Sequence, residues 1–154
     1  MNLPNILTSI RIALVPIAYY AGFAHQKELF IVIFSLGGIT DILDGFLARK
    51  LKQKSEFGST LDTVADVLFH PTALMSYFFV PQVISKNSTI LLIVLALYGL
   101  QIVVTSVQGK LALPHFLTAK IAAFALYVLV IGTLTIGYSP LLFYGAMVLF
   151  ATDA

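Results

Sequence analysis

Four aspartates, Asp41, Asp44, Asp62 and Asp66, fall within 26 positions of this chain, inside segments otherwise apolar enough to sit in a bilayer. An aspartate near the middle of a membrane helix is disfavoured by roughly 2.5 to 3.5 kcal/mol, so four left uncompensated would cost on the order of 10 kcal/mol. Something must offset that cost. At about 100° per residue, Asp41, Asp44 and Ala48 fall within about 60° of one another on one helix face, and Asp62 and Asp66 lie about 40° apart on another. Two carboxylate pairs can therefore face each other across a helix hairpin. Oxygen-only ligands with no cysteine nearby suit a hard cation, Mg2+, Mn2+ or Ca2+. The spacing predicts an intramembrane carboxylate site for one or two divalent ions.

The neighbouring residues suit a phosphate. Gly45 has no Cβ, so a ligand or a facing helix can approach its backbone closely, and Gly58 can act in the same way from the other side. Arg49, just past the carboxylate face, has the planar fork that binds phosphate oxygens in pairs. An aspartate held loosely by metal can take a proton from an incoming alcohol.

The elements that must position these groups are membrane helices. The chain has 154 residues, 59% of them hydrophobic and 10% charged, with no cysteine and a net charge of +2, and a mean hydropathy of +0.97. That composition excludes a soluble domain, a disulfide framework and a thiolate metal centre. Apolar runs predict an all-α, polytopic membrane protein whose spans cover about 8–24, 29–50, 59–80, 88–107, 117–137 and 140–152. The sixth is too short for a full crossing, so the bundle reads as six helices with the last one short or truncated. No internal repeat, low-complexity stretch or soluble domain interrupts it, and residues 1–154 read as one domain.

The start of the chain lacks a cleavable leader pattern, and Asn5 or Thr8 is expected to cap the first span. With the N-terminus in the cytoplasm, Arg11, Arg49, Lys50, Lys52, Lys54, Lys110 and Lys120 lie at cytoplasmic ends and only Lys27 and Lys86 lie outside. That bias places the carboxylates on the cytoplasmic side, since Asp44 is only about 7 Å along its helix from Arg49. Nothing in the pattern calls for a nucleic acid.

The run Asp41-x-x-Asp44-Gly45-x-x-Ala48-Arg49, eight residues, Gly58-x-x-x-Asp62-x-x-x-Asp66 resembles the complete signature of the CDP-alcohol phosphotransferases. A chance match of eight fixed residues at one starting point is on the order of one in 10¹⁰ at average residue frequencies. Leu3-Pro4-Asn5-Ile6-Leu7-Thr8-x-x-Arg11 is similar to the entry of that family's first helix. The resemblance implies transfer of a phosphatidyl group from CDP-diacylglycerol to an alcohol, with release of CMP, by a homodimer in the membrane. It implies that Asp41, Asp44 and Asp62, helped by Asp66, bind a pair of Mg2+ or Mn2+ ions, and that Asp66 is the base for the acceptor hydroxyl. Gly45, Ala48, Arg49 and Gly58 would line the CDP site, with Thr8 as a polar wall near the cytidine. Lys110, His115 and Lys120 are the candidates for acceptor contacts. Many phosphatidylglycerophosphate synthases of the family carry Lys directly after the last aspartate; Val67 stands there, which counts against that acceptor.

Blander readings compete at each place. The aspartates would be structural if Arg49 and the nearby lysines offset their charge, but four acids exceed one well-placed arginine. Lys50, Lys52 and Lys54 read first as a topology signal touching anionic headgroups. A divalent-cation carrier would also place carboxylates in a membrane, yet it would want them reachable from both faces and would leave Arg49 and Gly58 without a role. An inactive relative of the family is a third possibility.

Overall fold

The computed structural model describes residues 2–53, 55–83, 85–88, 92 and 117–151. Among these, the secondary structure is helical, without strands. The elements are α1 (Leu3–Phe23), α2 (Lys27–Lys50), α3 (Glu56–Phe69), a 3-10 segment (His70–Phe78), α4 (Leu117–Ile136) and α5 (Pro140–Ala151). α1 and α2 are long and apolar enough to cross a bilayer, at about 1.5 Å per residue. The outward residues of α2, Val32, Leu36, Ile39, Ile42 and Phe46, are large, apolar and exposed, a face suited to lipid and not to water. Both features are those of a membrane protein.

The contacts divide the chain into two compact units, Met1–Phe78 and Phe79–Ala154. In the first, α1 packs on both α2 and α3. α1 begins earlier than expected: Pro4 sits in its first turn, where a missing N–H costs nothing because that donor has no helical partner. Asn5 and Thr8 therefore do not cap the helix. They lie inside it, buried on one face together with Arg11. α2 folds back on α1 after a turn in which His25 takes a left-handed φ of 54°, and its ring meets Phe78 edge-on at 5.4 Å.

Small residues set the distance between the helices. Phe30, Phe34 and Phe69 are fully buried. Phe34 stacks on Phe30 and on Phe69, each at 5.6 Å between ring centroids. The end of the Phe69 ring fills the place of a side chain at Gly37, 2.0 Å from where a Cβ would lie. Met75 occupies the same position against Gly22, at 2.6 Å. α3 is started by Ser55, whose Oγ accepts from Gly58 N at 3.0 Å.

The expected third span, 59–80, is not one continuous α-helix. Pro71 cannot donate to the carbonyl of Val67, and from His70 to Phe78 the chain tightens into 3-10 geometry. Buried Thr72 donates its hydroxyl to the Phe69 carbonyl at 2.6 Å, satisfying one group at the junction. The expected fourth span, 88–107, lies outside the described residues apart from Ser88 and Leu92.

In the second unit, α4 and α5 meet through a link in which Gly137 adopts φ 94°. Ala125, Leu129, Phe143 and Ala146 form the core of this hairpin, with Val83, Tyr138 and Leu142 against it. Buried Asn87 donates to the Tyr138 hydroxyl at 3.0 Å, and Lys86 lies over the Tyr138 ring.

Candidate active site

α2 and α3 carry two carboxylates each, and α1 supplies their partner. Asp41 and Asp44 stand one turn apart on α2, and Asp62 and Asp66 stand one turn apart on α3. Carboxylate oxygens of Asp41, Asp62 and Asp66 all lie within 4.8 Å of one another. The helix-face reading from the sequence is thus realised in space: the four acids converge across the α2–α3 pair. Asp44 is the most enclosed, 5% exposed, while Asp41, Asp62 and Asp66 keep between 21% and 29% of their side-chain surface open.

The cation between them is Arg11. Its side chain is fully buried. Nη1 lies 3.0 Å from Asp41 Oδ1 and donates to Asp66 Oδ1. Nη2 donates to Asp44 Oδ2 and lies 3.3 Å from Asp62 Oδ1. Each terminal nitrogen therefore bridges one carboxylate of α2 to one of α3. Arg11, counted from the sequence among the charges at the cytoplasmic end, is buried within α1 against the aspartates. Arg49 is exposed on the last turn of α2, with Nη1 3.7 Å from where a Gly45 Cβ would lie. One guanidinium against four carboxylates still leaves negative charge in excess, which is expensive at this depth.

Thr8 lies one turn before Arg11, and its hydroxyl is 3.0 Å from Asp44 Oδ2 and 3.1 Å from the Pro4 carbonyl. Asn5, a further turn back, brings Oδ1 within 2.9 Å of where a Cβ on Gly58 would be. Gly58 thus allows α1 to approach the start of α3. Among the described residues Gly45 has no such neighbour: the nearest side-chain atom to its open backbone is Arg49 Nη1. Ala48 is half-buried on the turn between Asp44 and Arg49. Lys110 and His115 lie outside the described residues. Lys120 belongs to α4, and its side chain lies outside them also.

Arg11 and Asn5 are the site residues that the motif did not reveal. Their signal was present as spacing. Asn5, Thr8 and Arg11 recur every three residues in an apolar helix, forming a polar stripe that must face something polar.

The donor set fits a divalent ion. It consists of carboxylate oxygens alone, gathered around a point where a buried guanidinium already stands in for positive charge. The cluster can hold a metal in that place.

Comparison with known proteins agrees with this geometry. The family described as CDP-alcohol phosphatidyltransferase matches residues 1–152. The chain is similar to the CDP-diacylglycerol--glycerol-3-phosphate 3-phosphatidyltransferase of Pectobacterium atrosepticum, 43% identical over 77 residues, covering 48% of this chain and 42% of the relative. The protein of the same name from Haemophilus influenzae gives the same identity and coverage. That from Pseudomonas fluorescens is 40% identical over 78 residues, covering 49% of this chain and 40% of the relative. The chain spans about two fifths of the length of these curated relatives. With the match running over nearly every residue and the signature aspartates gathered from two helices that both pack on α1, the chain belongs to the CDP-alcohol phosphatidyltransferase family.

Proposed function

We propose that this protein transfers a phosphatidyl group from CDP-diacylglycerol to an alcohol in phospholipid synthesis, releasing CMP. The observation that carries this reading is the convergence of Asp41, Asp44, Asp62 and Asp66 from two helices onto one point. These four residues would hold Mg2+ or Mn2+, whose charge would offset that of the pyrophosphate and of the departing CMP. Asp66 takes the proton of the acceptor hydroxyl, so that this oxygen forms its bond to the β-phosphorus while the bond to the CMP oxygen breaks. Gly45 leaves room for the nucleotide beside the backbone, Gly58 lets Asn5 of α1 close against the start of α3 at the edge of that site, Ala48 keeps the wall low, and Arg49 pairs with a phosphate from the last turn of α2. Thr8 presents its hydroxyl at the same end.

Glycerol 3-phosphate is the acceptor this reading favours, because the similar enzymes are named for it. Val67, where many synthases of that kind have Lys, leaves the acceptor phosphate to be met by Lys110, His115 or Lys120. The active site opens to the cytoplasm in a bundle of six spans, and residues 1–154 act as one domain. The test is transfer from CDP-diacylglycerol to labelled glycerol 3-phosphate, inositol, inositol phosphate or serine by the purified protein with Mn2+. Label in lipid from glycerol 3-phosphate alone supports the reading. Label from another alcohol moves the acceptor and keeps the reaction, and label from none refutes both.

A further inference from the structure

We infer that Arg11 is a resident counter-cation of the aspartate site, which a divalent ion must displace, so that metal affinity is set by competition with the chain's own guanidinium. The inference rests on the proposed use of the four aspartates as metal ligands. Nη1 joins Asp41 to Asp66 and Nη2 joins Asp44 to Asp62, with each nitrogen placed between α2 and α3. An ion held by Asp41, Asp62 and Asp66, whose oxygens lie within 4.8 Å of one another, needs the space where these nitrogens stand. Two cations of like charge do not share it.

What anchors Arg11 is also informative. The side chain is fully buried, yet its Nε has no hydrogen-bond partner among the described residues. Among the described residues the carboxylates alone hold the guanidinium, so loss of those contacts frees it. Thr8 donates to the same Asp44 Oδ2 that Arg11 contacts, so Asp44 keeps a neutral partner when the arginine leaves. Asp41, Asp62 and Asp66 are the trio whose oxygens are gathered closely enough to ligate. A released Arg11 stays tethered to α1 at the edge of the site, where an anionic phosphate would meet it. Arg11 is in this sense a positioning residue: it keeps α2 and α3 together without metal and gives way when metal arrives.

The experiment is Mn2+ binding, followed by the free-ion paramagnetic resonance signal, to the full chain in detergent. Wild type, Arg11→Gln and Asp62→Asn are compared, alongside their thermal unfolding with and without Mn2+. Arg11→Gln is expected to bind Mn2+ at least tenfold more tightly than wild type, to unfold at lower temperature without metal, and to recover when Mn2+ saturates. Equal or weaker binding by Arg11→Gln overturns the competition while leaving the metal site intact. Binding unchanged by Asp62→Asn overturns the metal-site reading and this inference with it. Wild type alone gives a second test that does not depend on the variant folding. The chain has two arginines, so with nitrogen-15 arginine the buried Arg11 guanidinium is resolved from exposed Arg49. Its protected protons are expected to begin exchanging with water as Mg2+ is added; protection that persists at saturating Mg2+ refutes displacement.

Discussion

Gly37→Ala tests whether the contact between α2 and α3 sets the site's geometry. A Cβ at Gly37 would stand 2.0 Å from Phe69 Cζ, 2.4 Å from Cε1 and 2.7 Å from Cε2, so the ring meets it end-on. Ordinary carbon contacts lie near 3.5 to 4.0 Å. The ring cannot simply swing away, because it is fully buried and stacked on Phe34. Overpacking of this kind costs about 1 to 3 kcal/mol, against a gain of roughly 0.5 to 1 kcal/mol for alanine over glycine within a helix. A net loss of about 1 to 2 kcal/mol lowers the unfolding midpoint by roughly 2 to 8 °C for a chain of this size. The effect reaches the site, since Gly37 lies one turn before Asp41 and Phe69 one turn after Asp66. Separation of the helices spreads Asp41, Asp62 and Asp66, and Mn2+ affinity is expected to fall about tenfold. The assay is thermal unfolding in detergent together with a Mn2+ titration, repeated in Gly37→Ala/Phe69→Leu, where the shorter side chain is expected to restore most of both. A Gly37→Ala protein with wild-type midpoint and wild-type Mn2+ affinity would refute this account of helix spacing.

Two further substitutions probe α1. Thr8→Val keeps the branched shape and removes the donor to Asp44, which as a hydrogen bond to a charged group is worth about 1.5 to 3 kcal/mol; the expected drop in stability is read by denaturant unfolding, and an unchanged midpoint would show that Asp44 does not depend on it. Gly58→Ala places a Cβ 2.9 Å from Asn5 Oδ1 and 3.0 Å from Ser55 Oγ, so CMP titration is expected to show binding at least about tenfold weaker, a loss near 1.4 kcal/mol. Adding Asn5→Ala removes one of the two clashes and is expected to return part of the thermal stability.

The aspartates were legible because acids are rare in apolar helices and their spacing follows the helical period. Asp41, Asp44, Asp62 and Asp66 needed no tertiary information to be placed on facing surfaces. Arg11 was not legible in the same way. A single arginine near the start of a membrane helix has the appearance of a topology charge, and only the packing of α1 against α2 and α3 turns it inward. Asn5 and Thr8 have good capping side chains, but Pro4 starts the helix earlier and leaves both inside it. The expected third span ran through Pro71, and the structure shows the α-helix ending before it at Phe69. Within the 3-10 segment from His70 to Phe78, Met75 packs against Gly22 of α1, a contact that no local pattern encodes.

The most direct test of the central claim is CMP release from CDP-diacylglycerol with glycerol 3-phosphate and Mn2+, comparing wild type with Asp66→Asn. Substrate binding is measured on the same samples. The four-aspartate account predicts release that a chelator abolishes, and a fall of at least about a hundredfold in Asp66→Asn, the range expected for loss of a general base, while CDP-diacylglycerol still binds. Release that continues at the wild-type rate in Asp66→Asn, or in the presence of chelator, would contradict it.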